Sequence, residues 1–309
     1  MNAINVLKRL TTTGLAIFSL VLSTNTSAVY FNYTTWNTGY NNAYGIDGWV
    51  GSDNVDRLIF YENATGNSTA HIYQVTTSGN PNLHPLNPNA TGPVATRTFT
   101  HESSFVLNNN NYSHESEFYV DATNGYFYLG ATNGIEQYDF GGAYLGTIGM
   151  PSPNESGYST QSLGHNASLN DWYAATIGFD GTSNVFMLDG DNLMAGWNEI
   201  FSTPVSNHHD GMEALANGNL FLADYDGTIN EYTVGGAYVT THTHDPFPIE
   251  LEGMGYGALN HYWGGSHSGI VFEFGGGSLQ VPEPATLLLF ASGLIGLGYL
   301  KRRQTPSTT

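Results

Sequence analysis

The sequence predicts an all-β ectodomain, a β-propeller of about five four-stranded blades. The first reason is composition: the 309-residue chain holds 20 Tyr, 16 Phe and 38 Gly, with no amphipathic helical pattern longer than two turns between residues 29 and 280. Aromatic and β-branched residues favour strands. The other reasons are a repeated unit with a period near 47 residues and Asn-Gly, Asp-Gly and Gly-Gly pairs suited to tight hairpins. Six blades or a pair of β-sandwiches is the alternative.

The N-terminal end predicts a secretory signal peptide, residues 1–28. Lys8-Arg9 precedes the apolar stretch 15–22, and the small residues Thr26-Ser27-Ala28 follow it. A basic segment, an apolar segment and a small-residue exit in that order are typical of a signal peptide. We therefore expect signal peptidase to cleave after Ala28, which leaves residues 29–280 as the ectodomain.

Residues 29–33 alternate apolar and polar side chains ahead of the first blade. This alternation is typical of a strand with one buried face. We expect it to form the outer strand of the last blade, because that closes the ring and removes an exposed sheet edge. The first blade is enlarged by residues 78–93, a stretch rich in Gly, Asn and Pro that predicts an exposed, mobile loop.

One unit of twelve residues occurs twice in the chain. Residues 134–145 read GIEQYDFGGAYL, residues 228–239 read TINEYTVGGAYV, and residues 269–276 repeat the pattern more weakly. The two strong copies lie 94 residues apart, twice 47, so we expect another unit between them, around residues 172–174 and 185–189. Periods of about 40–50 residues are typical of propeller blades.

The unit that begins at Gly211 shows four strands most clearly. Its turn pairs at residues 217–218, 226–227 and 235–236 tolerate the positive φ that two-residue hairpins require. The predicted strands cover residues 211–215, 219–224, 228–234 and 238–243.

The C-terminal end carries three segments in order: Val281-Pro282-Glu283-Pro284, the apolar run 285–300, and Lys301-Arg302-Arg303. As a helix, the apolar run is roughly 24 Å long, near the lower limit for crossing a membrane. The basic cluster predicts a cytoplasmic end. The arrangement resembles the PEP-CTERM sorting signal of exported bacterial proteins. An ordinary membrane anchor with a chance Pro-Glu-Pro before it is the alternative.

The resemblance implies a sorting segment at residues 281–309 with a transmembrane helix at 285–300. It implies exosortase as the processing enzyme and a precursor anchored in the inner membrane through that helix. After processing, the protein is expected at the cell surface or outside the cell.

Charge and cysteine content narrow the function classes. Within residues 29–280 only Arg57 and Arg97 are basic, against 25 acidic residues, which gives a net charge of −23. Such a surface repels nucleic acid and anionic lipid, so no nucleic-acid partner is expected. Net charge alone also keeps a protein soluble. The chain has no cysteine, so the core must hold the fold without disulfides.

Acidic residues recur where the hairpin alignment starts the innermost strand of a blade, with Ser162 as the exception. The pattern resembles the first-strand Glu-Gly motif of gluconolactonase-type and NHL-type propellers, in which an acid facing the central channel can bind a divalent cation. Carboxylate oxygens suit Ca²⁺. The alternative is that these acids line a solvated channel or cap strand ends. The predicted metal ligands are Asp47, Glu117, Asp210 and Glu252.

Two functions follow as hypotheses. The first is a non-catalytic surface or matrix protein that binds exopolysaccharide or another envelope component in a biofilm. The second is a metal-dependent propeller hydrolase of the lactonase type, which would need Asn or His ligands beside the carboxylates and a positioned base. No set of catalytic residues can be named for it from the sequence.

Overall fold

Twenty strands and one 3₁₀ turn make up the part of the chain that the computed structural model describes. The chain forms two compact units, Met1–Gly276 and Gly277–Thr309, and every described residue lies in the first. The predicted signal peptide, most of the predicted loop 78–93 and the whole sorting segment fall outside the described residues. These are residues 29–64, 67–80, 95–108, 117–131, 134–148, 160–166, 168–177, 182–189, 197–204, 209–224, 226–245 and 250–275.

Five blades of four antiparallel strands make up the fold, which confirms the prediction; blades 1, 2 and 3 are separate sheets, and blades 4 and 5 share one eight-stranded sheet. Blade 1 is β2 (Tyr44–Val50), β3 (Asp56–Ala64), β4 (Asn67–Ser78) and β5 (Thr96–Val106). Blade 2 is β6 (Phe118–Asp121), β7 (Tyr126–Ala131), β8 (Gly134–Asp139) and β9 (Tyr144–Ile148). Blade 3 is β10 (Thr160–Asn166), β11 (Asp171–Ile177), β12 (Thr182–Asp189) and β13 (Asn198–Pro204). Blade 4 is β14 (His209–Ala214), β15 (Leu220–Asp224), β16 (Ile229–Tyr232) and β17 (Tyr238–Asp245).

The first strand of the ectodomain completes the last blade, as predicted. Blade 5 is β18 (Met254–Tyr256), β19 (Tyr262–Gly265), β20 (Ile270–Phe274) and β1 (Val29–Asn37), with the 3₁₀ turn Ala258–Asn260 between β18 and β19. Strand β1 pairs antiparallel with β20, and its first three residues pair parallel with β17 of blade 4. The two ends of the ectodomain therefore meet in one sheet.

The central strands of each blade are apolar on both faces because every blade packs between two others. In β3, Leu58 and Phe60 pack toward blade 5, whereas Ile59 and Tyr61 pack toward blade 2. Successive side chains of a strand point to opposite faces, so an unbroken apolar run covers both. Five hydrophobic clusters of the described residues fill the five interfaces, including the one between blade 5 and blade 1.

The Gly-Gly-Ala-Tyr repeats form the turns before the outer strands of blades 2 and 4. The second glycine of each has a positive φ, +82° at Gly142 and +77° at Gly236. A Cβ there would also collide with the preceding blade, at 2.3 Å from Phe105 and 2.6 Å from Phe201. The repeat is therefore both a turn signal and a contact between blades.

Candidate functional site

The predicted acids lie at the innermost strands of their blades. Asp47 is in β2 and Asp210 in β14, while Glu117 immediately precedes β6 and Glu252 precedes β18 by two residues. All four are buried, with 0–5% of their surface exposed.

Glu117 joins four blades through hydrogen bonds from backbone N–H groups. Its Oε2 accepts from Leu163 of blade 3 at 3.0 Å and from Met212 of blade 4 at 2.8 Å. Its Oε1 accepts from Met254 of blade 5 at 2.8 Å. One carboxylate of blade 2 thus satisfies buried donors on three other innermost strands.

Asp47 and Ser162 complete the polar connections around the axis. Asp47 Oδ2 accepts from Val120 of blade 2 at 2.7 Å, and the Asp47 carboxylate also accepts from Gly48 and from Tyr256 of blade 5. Ser162 Oγ donates to the carbonyl oxygen of His209, which links blade 3 to blade 4 at 2.8 Å. Hydrogen bonds from three side chains therefore connect all five blades near the axis.

Burial opposes ionisation of the axial acids. It raises the pKa of Asp47 to about 8, although the N–H donors from Gly48, Val120 and Tyr256 act in the opposite direction. Burial likewise raises the pKa of Glu117 well above its usual value. The half-buried Glu213 has a pKa raised by burial first and by the Asp47 charge second. A buried carboxylate at the axis therefore lowers the stability of the fold unless its oxygen atoms accept hydrogen bonds.

The glycines that follow the axial acids are required by close approach of the innermost strands. A Cβ on Gly211 would lie 2.7 Å from the backbone nitrogen of Met254, and one on Gly48 would lie 2.9 Å from that of Ala258. Real Cβ atoms do not approach backbone that closely, so only glycine fits. Packing at the axis thus accounts for the acid-Gly pairs at these two positions.

The geometry bears on the predicted Ca²⁺ site. Three N–H donors on Glu117 and three on Asp47 leave each carboxylate one of its roughly four acceptor positions. For Asp47 and Glu117, that arrangement favours the alternative in which the acids satisfy strand donors. A Ca²⁺ ion shared by Asp47, Glu117, Asp210 and Glu252 stays a prediction.

A groove between blades 1 and 2 is the site that sequence reasoning missed. It has a volume of about 450 Å³, and its lining combines the aromatic rings of Trp49, Phe127 and Phe140 with the charged groups of Asp53, Arg57 and Glu102. Phe140 stacks on Phe127 with ring centroids 4.6 Å apart and is 37% exposed. The available signal was the repeat itself, in which Phe140 takes the position that Val234 has in blade 4.

The charged groups of the groove are organised by Arg57. Its guanidinium donates to both carboxylate oxygens of Asp53, at 2.7 and 2.8 Å, and to both of Glu102, at 2.7 and 3.0 Å. Arg57 lowers the pKa of both carboxyl groups, so both remain hydrogen-bond acceptors at ordinary pH. The groove therefore offers ionised acceptors and an exposed aromatic ring in one lining.

Comparisons with known proteins concern the sorting signal and the fold. The PEP-CTERM protein-sorting motif matches residues 280–303. No curated protein sequence matches the chain. A chain from the crystal structure of BBS1N in complex with ARL6DN, soaked with lead, aligns at 11% identity and a TM-score of 0.40, over 82% of this chain and 99% of that chain. A likeness at that TM-score carries no argument.

The predicted transmembrane helix at 285–300 lies outside the described residues. Among the residues that are described, no helix has the length and apolar character needed to cross a membrane. The chain is a five-bladed β-propeller with a PEP-CTERM sorting motif near its C-terminal end, and it is thus an exported protein whose membrane-anchored precursor is sorted by exosortase to the cell surface.

Proposed function

We propose that the propeller is a non-catalytic surface module that binds a polysaccharide of the cell envelope or biofilm matrix. The observation that carries the proposal is the groove between blades 1 and 2, whose lining holds both aromatic rings and ionised hydrogen-bond acceptors. Sites for small organic groups combine apolar and aromatic walls with a few placed polar groups. A sugar ring presents C–H groups to the aromatic rings and hydroxyl donors to Asp53 and Glu102.

The negative charge of the ectodomain limits the kinds of polysaccharide that it can bind. Its net charge of −23 repels anionic polymers, and the guanidinium that lines the groove is already paired with two carboxylates. We therefore propose a neutral or amino-sugar polysaccharide as the ligand.

The axis supports a binding role over the hydrolase alternative. A lactonase-type site would use axial carboxylates as metal ligands, but Glu117 and Asp47 direct most of their acceptor positions at backbone donors of other blades. Those contacts favour a structural role for the axis.

Binding is tested by sedimenting the purified protein with insoluble exopolysaccharide from the native host. Phe140→Ala removes the exposed ring and is expected to raise the dissociation constant, measured over a range of polysaccharide concentrations, by up to about tenfold, because a stacked aromatic contact is worth roughly 0.5–1.5 kcal/mol. Tyr144→Ala is the matched control, since Tyr144 is 40% exposed on the neighbouring strand β9 but does not line the groove.

Equal binding by wild type and Phe140→Ala would contradict the groove as the binding site. Equal losses in Phe140→Ala and Tyr144→Ala would indicate general surface adhesion and would also overturn the proposal. A fold check by circular dichroism on both variants separates these results from misfolding.

A further inference from the structure

We propose that Glu250, Glu252 and His267 on blade 5 bind a divalent transition-metal ion such as Zn²⁺. One ligand atom from each residue lies within 4.8 Å of the other two. Within the described part of the chain this is the one group of three such side chains that converge so closely. Only Glu252 belongs to the acid set predicted from the sequence, and Glu250 and His267 come from outside it.

The backbone around Glu252 holds this group in place. The Glu252 N–H donates to the carbonyl oxygen of Gly265 at 2.9 Å, and its own carbonyl oxygen accepts from Gly45 at 2.9 Å. The segment before β18 is therefore fixed between β19 and β2. His267 lies in the turn between β19 and β20, where Gly269 at φ +72° allows the chain to reverse. The three ligands come from two segments held by the same sheet.

The solvent exposure of the ligand side chains differs widely within the group. The Glu252 side chain is 3% exposed, whereas the His267 side chain is 55% exposed, and the two approach to 3.7 Å between Oε1 and Nδ1. A buried carboxylate requires a positive partner or several donors. The exposed imidazole leaves a path by which an ion in solution can enter.

Both arginine side chains of the ectodomain form ion pairs away from this site. Arg57 and Arg97 are its only Lys or Arg residues. Arg57 pairs with Asp53 and Glu102, and Arg97 pairs with Glu273. Both arginines thus lie in other ion pairs, and one divalent ion would balance the two glutamate carboxylates at this site.

The ligand types and distances select the class of ion. Ligand atoms bound at about 2.0–2.2 Å to one tetrahedral Zn²⁺ lie roughly 3.3–3.6 Å apart. The three ligand atoms, which lie within 4.8 Å of one another, therefore close on an ion through side-chain rotations that bring them together by up to about 1.5 Å. Imidazole suits Zn²⁺, Ni²⁺ or Cu²⁺, whereas Ca²⁺ prefers oxygen ligands alone. Three protein ligands leave a coordination position for water.

Tyr44 acts on the site as a positioning residue. Its hydroxyl group lies 2.7 Å from Nδ1 of His267, and the two rings meet edge to face with centroids 5.6 Å apart. An ion bound at Nε2 would leave this contact at Nδ1 in place. A hydrogen bond to the other ring nitrogen fixes the orientation of a ligating imidazole, and its loss typically weakens metal affinity about 10–100-fold. Tyr44→Phe is therefore expected to retain zinc binding with reduced affinity.

The test is calorimetric titration of the full chain, purified in detergent and freed of metal with a chelator. The titrant is Zn²⁺ in millimolar Ca²⁺, which occupies weak acidic sites. Wild type is expected to bind one equivalent of Zn²⁺, and Glu250→Gln and His267→Gln are each expected to lose that equivalent. Glu199→Gln is the matched control, since it removes an exposed acid on β13 and should leave binding unchanged.

Co²⁺ provides a second readout that stability does not affect. A visible absorption band is expected in wild type and in Glu199→Gln, and its loss is expected in His267→Gln, whose exposed position makes misfolding an unsuitable explanation. Zinc binding of the same stoichiometry and affinity in His267→Gln would overturn the proposal and place the ion on the general acidic surface. Failure of wild type to bind Zn²⁺ in the presence of Ca²⁺ would overturn it as well.

Discussion

The Glu117 carboxylate shows how one side chain can replace several contacts between backbones. Innermost strands of neighbouring blades converge too obliquely to form one continuous ladder, so their N–H groups need other acceptors. Glu117 supplies three of these acceptor contacts from one position. A buried donor without an acceptor costs about 1–3 kcal/mol. We therefore interpret Glu117 as a structural residue of the axis.

Glu117→Gln is expected to lower the free energy of unfolding by at least about 1–3 kcal/mol, measured by urea denaturation. The amide preserves the size of the side chain but turns an NH₂ group toward N–H donors, so at least one buried donor loses its acceptor. Glu199→Gln, an exposed acid on β13, should change stability by no more than about 0.5 kcal/mol. Similar losses in the two variants would contradict the structural role of Glu117.

Among the strands, β5 and β20 are joined across the interface between blades 1 and 5 by a buried ion pair. Arg97 donates from Nε and Nη2 to the two carboxylate oxygens of Glu273, both at 2.7 Å, and from Nη1 to Thr77 at 2.7 Å. The same carboxylate contacts Nδ1 of His261, on which Tyr33 of β1 stacks at 4.4 Å. The pair therefore joins β5, the outer strand of blade 1, to β20, the strand of blade 5 with which β1 pairs.

Arg97→Met and Glu273→Gln are each expected to cost about 3–5 kcal/mol, because each leaves the other charged group buried without its partner. The double variant should lose less than the sum of the two, which a double-mutant cycle in urea measures. Arg57→Met serves as the comparison, since Asp53, its partner in a more exposed pair, has a side chain that is 53% exposed. A loss in Arg57→Met as large as that in Arg97→Met, or additive losses in the cycle, would contradict this account.

Local patterns in the sequence were sufficient to predict the strands of the blades but not the contacts that form the axis and the groove. Turn pairs such as Asn217-Gly218 and the alternation before β2 are encoded within a few residues, so they gave the strand pattern and the closing strand. The axial hydrogen bonds of Glu117 reach residues 46, 95 and 137 positions away. They depend on the register between blades, which no short pattern records. The groove depends on the same register, because Phe140 of blade 2 lines it together with Trp49 and Arg57 of blade 1.

Closure of the ring depends on β1, because this first strand of the ectodomain supplies the outer strand of the last blade. Trp36 of β1 pairs with Val271 of β20 and stacks on Phe99 of blade 1 with ring centroids 4.2 Å apart. Without β1, β20 becomes an exposed edge strand, and exposed edges promote association between chains.

Deletion of residues 29–37 is expected to lower the unfolding temperature and to produce oligomers in size-exclusion chromatography. A synthetic peptide of residues 29–37, added in excess, should restore the monomer by adding a strand to β20. A peptide of the same composition in scrambled order is the control. A deletion variant that stays monomeric and unfolds at the wild-type temperature would show that β1 is dispensable.

Pairing of β1 with β20 also determines the order in which the blades can fold during export. An exported chain that emerges N-terminus first presents β1 long before its partner, and β20 ends at Phe274, shortly before the sorting motif begins at residue 280. Four blades can form in sequence, but the fifth must wait until almost the whole chain has crossed. The last step of folding and the arrival of the sorting motif at the membrane therefore coincide, so exosortase meets its substrate only when the propeller has become able to close.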